Sequence, residues 1–280
     1  MSMPSFAVSI SVLAVVQASL VALPRAGSFP ALARLRGPAW AVIPAASIGA
    51  VVFGLRAVAG AAQGITYLAL VAVPVLAVAA LAWVVHGHRP LLGVLAAALF
   101  ALAWADRGTL SGQSAALALT ALSCVTLGAL LAAVAPAGWL KLGIVAMAAV
   151  DTWLVATDLL QAPNDVLNAA APAAHLPQLQ EAVFGRGVMG YGDLFVAGVL
   201  GALLADRRSI QWKAAGIAVS IGLTFNLLFL WVSELPATVP IALTLIVLEL
   251  AGRRRTVSRR RPRLSGTAPG RAAWARAARR

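Results

Sequence analysis

A chain of 280 residues with 61% hydrophobic and only 11% charged residues, at a mean hydropathy of +0.90, cannot cover itself with polar surface. A water-soluble domain carries about 25% charged residues, so composition excludes one and makes lipid the solvent. The net charge of +13 does not point to nucleic acid: 11 of the 22 Lys and Arg residues lie beyond position 252, and a basic cluster behind an apolar helix marks a cytoplasmic face that meets anionic lipid.

A membrane span needs about 20 mostly apolar residues. In chain order the candidates are 5–23, 39–60, 65–85, 90–105, 113–134, 137–160, 187–205, 214–233 and 235–250. The expectation is an all-α, polytopic protein with nine transmembrane helices over residues 1–250 and a disordered cytoplasmic tail over 251–280. The first segment is apolar but lacks the basic start of a signal peptide, so it reads as a retained helix with its N-terminus outside. With nine spans, the inner ends hold Arg25, Arg34, Arg36, Arg89, Lys141, Arg207, Arg208 and Lys213. Only Arg56, Arg107 and Arg186 fall outside, as the positive-inside rule requires. Trp40, Trp83, Trp104, Trp139, Trp212 and Trp231 fall near helix ends, where an interfacial aromatic belt belongs. The outer connection 161–186 is long, and an amphipathic helix is expected around 174–184. Long connections serve as lids or binding elements or simply as linkers.

Cys124 is the single cysteine, so no disulfide or zinc cluster forms within the chain. His86 and His88 lack a carboxylate partner and read as a polar loop. Neither metal nor cofactor is expected.

The nine acidic residues separate by position. Asp106, Asp165, Glu181, Asp206 and Glu234 lie in loops or at helix ends, and Glu249 sits beside the basic tail. Asp151, Asp158 and Asp193 lie within or near spans, where an ionisable group costs about 2.5–3.5 kcal/mol and usually marks a site or pathway. The sixth helix runs outward and the seventh inward, so at about 1.5 Å per residue Asp151 and Asp193 match in depth within roughly 5 Å. Asp158 lies roughly 10 Å nearer the outside. Two carboxyls facing each other in low dielectric share one proton. Such a pair suits aspartyl proteolysis, one partner activating water and the other protonating the carbonyl oxygen. It equally suits a proton relay in a transporter.

Gly190-Tyr191-Gly192-Asp193, followed by an apolar helix, resembles the GxGD motif of the signal peptide peptidase and presenilin family. Val150-Asp151 resembles that family's first motif, in which tyrosine usually precedes the aspartate. Leu235-Pro236-Ala237-Thr238 resembles its third, Pro-Ala-Leu. The resemblance covers residues 137–250 and places the motifs on the sixth, seventh and ninth of nine helices, as in the family. It implies an intramembrane aspartyl endopeptidase with Asp151 and Asp193 as the catalytic pair. Gly190, Tyr191, Gly192, Pro236, Ala237 and Thr238 would shape the site, and a transmembrane helix would be the substrate. The orientation resembles signal peptide peptidase, in a membrane of bacterial or archaeal type. Val150 and Thr238 depart from the motifs. Thr238→Leu, which restores the family residue, is expected to keep or raise cleavage.

Rival readings are a proton-coupled transporter, an inactive relative and a prepilin-peptidase-like GxGD protease. The last usually has lysine two residues after the aspartate, where this chain has Phe195. Gln113, Trp153 and Asn226 are expected to pack or to join helices.

Overall fold

The computed structural model describes residues 4–27, 29–43, 46, 50, 53–54, 60–159, 165–167 and 169–260. It is mostly helical and divides into two units, Met1–Leu245 and Ile246–Arg280. Helix α1 spans Phe6–Leu20, α2 Ala61–Ala79, α3 Val94–Ala105, α4 Leu110–Val134 and α5 Ala137–Ala156. After a hairpin of β1 (Glu181–Phe184) and β2 (Gly187–Gly190) come α6 (Tyr191–Leu204), α7 (Arg208–Phe225) and α8 (Val239–Arg260). The first unit holds everything up to the early turns of α8; the second begins within that helix.

Four helical segments are long and apolar enough to cross a membrane: Ala61–Val85, Leu110–Val134, Ala137–Ala156 and Arg208–Leu230. Phe6–Leu20, Pro90–Ala105 and Tyr191–Leu204 are apolar but shorter. The 14 residues of α6 reach about 21 Å, less than the ~30 Å of a hydrocarbon core. The expected span 39–60 lies largely outside the described residues. The expected ninth helix starts at Val239 and continues past 250 to Arg260, its last turns filled with arginine. Among the described residues, four helices thus have the length and composition of a membrane crossing.

Helix α4 is the central post, packed against α2, α3, β1 and, most extensively, α6. Lipid offers no hydrophobic drive between helices, so close contact depends on small residues. Gly128 of α4 and Gly198 of α6 meet backbone to backbone, and a Cβ on Gly198 would strike the carbonyl of Cys124. One turn on, a Cβ on Gly201 would lie 2.7 Å from the Val21 carbonyl oxygen at the end of α1. Pro74 and the π-turn Ala80–Val85 disturb the hydrogen-bond ladder of the second helix. The Thr126 hydroxyl of α4 donates to the Leu76 carbonyl at 2.8 Å, joining the two helices between those positions.

Three local expectations are corrected. The segment around 174–184 is not an amphipathic helix: it contains a short turn at Ala173–His175 and then β1, paired antiparallel with β2 from Glu181↔Gly190 to Phe184↔Gly187. Gly185, at φ +60°, and Arg186 link the strands, and glycine first in a two-residue link is the mark of a hairpin turn. Tertiary contacts hold this turn. Gln113 of α4 accepts from the Gly185 N–H at 2.7 Å, and the Ser9 hydroxyl of α1 accepts from the Arg186 N–H at 3.1 Å. The seventh span therefore begins at Tyr191 rather than 187, because residues 187–190 are strand. The sixth ends at Ala156 rather than 160, because Asp158 takes a left-handed conformation (φ +60°) that stops the helix.

Candidate active site

Asp193 is the third residue of α6. Its carboxylate turns back to accept the Gly190 N–H at 3.1 Å, satisfying one of the donors a helix start leaves free. Glycine at 190 eases the approach, since a Cβ there would lie 3.1 Å from the same carboxylate oxygen and the side chain would have to shift slightly. Gly192 differs. Nothing lies within 4 Å of where its Cβ would be, so it leaves open space beside Asp193. Between them, the Tyr191 hydroxyl pairs with the buried Ser123 hydroxyl of α4 at 2.8 Å, fixing the start of α6 on the central post.

Asp151 lies on α5, one turn before its end. Its carboxylate accepts the Thr238 hydroxyl at 2.7 Å, and Thr238, only 2% exposed, also turns its backbone N–H toward it. Asp151 and Asp193 line one cavity of about 1240 Å³. Gly190, Tyr191, Gly192, Ala237 and Thr238 line the same cavity, and the remaining wall is largely apolar, from α1, α2 and α4. Pro236 does not line it. That residue is buried, its carbonyl accepting the Val239 N–H at 3.2 Å in the turn that starts α8. Asp158 is exposed and away from the cavity.

Thr238 has a larger part than its place in a departing motif suggested, because its hydroxyl holds a carboxylate that leucine could not. Gln17 escaped sequence reading altogether. On α1, at 3% exposure, its side-chain amide donates to the carbonyl oxygens of Asp193 (3.0 Å) and Ala237 (2.8 Å). The available signal was an amide inside an apolar helix, which must find partners away from lipid. Asn226 joins helices as expected, donating to the Ile10 carbonyl at 3.2 Å, and Gln113 grips the hairpin; Trp153 instead faces outward.

Toward the hairpin the cavity wall includes Asp165, Gln180, Glu181 and Arg186. Burial pushes the Glu181 carboxyl above the usual carboxylate range. Comparison with protein-family models, curated proteins and solved structures finds no match to this chain.

Proposed function

We propose that this protein is an intramembrane aspartyl endopeptidase that hydrolyses peptide bonds within transmembrane helices. The observation that carries the reading is that two carboxyls, from separate helices, line one largely apolar cavity with open space at Gly192. In this reading Asp151, held by the Thr238 hydroxyl, is the base that takes a proton from water as the water attacks the peptide carbonyl. Asp193 supplies a proton to the carbonyl oxygen; as the carbon–nitrogen bond breaks, Asp151 passes the proton it took from water to the leaving amine and Asp193 regains one from the collapsing diol. A helical substrate must unwind before its carbonyl can be attacked. β2 is an edge strand running straight into Gly190, and an extended peptide can pair alongside it, with the scissile bond toward Asp193.

The same proposal includes the finer membrane arrangement: nine spans of signal peptide peptidase type, N-terminus outside, C-terminus cytoplasmic, and anionic lipid at the basic tail. A second reading has its own support. The Asp193–Gly190 bond is a helix cap, which is reason enough for an aspartate at that position in a transporter or an inactive relative. Capping does not account for Asp151 and Thr238 beside it.

The test is incubation of the purified protein in detergent with a helical transmembrane peptide, with and without an aspartyl-protease transition-state analogue. Cleavage that the analogue blocks supports the proposal. An intact peptide under conditions where the protein remains folded overturns it.

A further inference from the structure

Gln17 occupies an unusual place. Its amide nitrogen has two hydrogens, and both are used on backbone carbonyls next to the candidate chemistry: that of Asp193 itself, and that of Ala237, the residue before Thr238. Asp151 is in turn bound to Thr238. A continuous path of contacts therefore runs from the Asp151 carboxyl to the backbone that carries Asp193: 2.7 Å from Asp151 to Thr238, one peptide unit, 2.8 Å from Ala237 to Gln17, and 3.0 Å from Gln17 to the Asp193 carbonyl. The node of that path is on α1, an element outside every motif.

Helix α1 is itself fixed at several points. The Ser9 hydroxyl holds the hairpin turn, the Ile10 carbonyl accepts from Asn226, and the close approach of Gly201 fits the Val21 backbone. A donor on such an element can set distances. In a largely apolar cavity, losing that donor takes this partner from the Ala237 carbonyl, which lies outside the helix, with little water to replace it, and leaves the Asp193 carbonyl only its own helical bond.

We propose that Gln17 is a positioning residue that fixes the Ala237–Thr238 segment against Asp193 and so sets the separation of the two carboxyls. This rests on the endopeptidase reading. Gln17 takes no part in proton transfer; it acts through Thr238 and the Asp193 backbone.

The test compares wild type with Gln17→Met, which keeps length and volume but has no donor, and Gln17→Asn, which keeps the amide but is shorter by one methylene. Cleavage of the helical peptide is measured across pH, and hydrogen exchange is followed over residues 235–240. Misplacing reacting groups by about 1 Å can cost roughly 100-fold. Gln17→Met should therefore lower kcat by about 10- to 100-fold with KM little changed, displace the pH profile of kcat, and speed exchange locally over 235–240. Gln17→Asn should do the same to a smaller degree, and it carries the test if the Met variant does not fold. Wild-type kcat, pH profile and exchange in a folded variant would overturn the proposal. If wild type cleaves nothing, the endopeptidase reading fails separately. Exchange then decides whether Gln17 secures the segment: a local rise supports this, and unchanged exchange refutes it.

Discussion

Replacing Thr238 with valine removes one hydroxyl and little else. The side chain is only 2% exposed and valine nearly matches its shape, so packing should survive. What disappears is the 2.7 Å bond to the Asp151 carboxylate. A hydrogen bond to a charged group contributes about 1.5–3 kcal/mol. If that interaction is needed in the transition state, its loss lowers kcat/KM by roughly 10- to 150-fold, at about 1.4 kcal/mol per factor of ten. Thr238→Ser retains the hydroxyl and should stay near wild type. Thr238→Leu should lose activity as valine does, which reverses what the Pro-Ala-Leu resemblance leads one to expect. The assay is the initial rate of helical-peptide cleavage in detergent, with thermal melting as the check on folding. Wild-type rates in folded Thr238→Val and Thr238→Leu proteins would show that this bond has no part in the chemistry.

Gly198→Val should prevent α6 from seating on α4, because its side chain would meet the Cys124 backbone, which cannot move aside. Overpacking costs about 1–3 kcal/mol and more against backbone, read as a lower melting temperature or loss of a monodisperse peak in detergent. Burial raises the Glu181 carboxyl, so the folded protein binds that proton more tightly than the unfolded chain does. Its contribution to stability is therefore fully present below the ordinary glutamate value of 4.5 and is lost as pH rises through the folded value. Glu181→Gln stays neutral, so melting measured against pH should lose that decline. A decline of wild-type size in the variant would remove the burial argument.

Much of the helical frame was legible because its signal is compositional. Long apolar runs mark Ala61–Val85, Leu110–Val134 and Ala137–Ala156 within a few residues, whereas α6 starts four residues later than its apolar run suggests, at the cap that Asp193 makes on Gly190. The hairpin was not legible as such. Val183, Phe184, Val188 and Met189 could belong to either kind of element, and what selects strand is the grip of Gln113 and Ser9 on Gly185 and Arg186, contacts more than 70 residues away in sequence. Gln17 was hidden for the same reason. One amide in an apolar helix announces that it needs partners, but not that they lie 176 and 220 residues further on. Thr238 looked like a departure from a motif until the carboxylate opposite it was seen. Short-range chemistry can be read from the chain, whereas partners brought together by packing cannot.

The most direct test of the central claim is mass-spectrometric analysis of one helical transmembrane peptide after incubation with wild type, Asp151→Asn, Asp193→Asn, the double variant and Asp158→Asn. Asparagine keeps the size and part of the hydrogen bonding but removes the shared proton. Wild type and Asp158→Asn should give the same cleavage products, and neither single dyad variant should give any. The double variant should be no worse than either single one, since groups acting as a unit are not additive. An intact peptide with folded wild type, or cleavage that survives Asp151→Asn and fails in Asp158→Asn, would contradict the account.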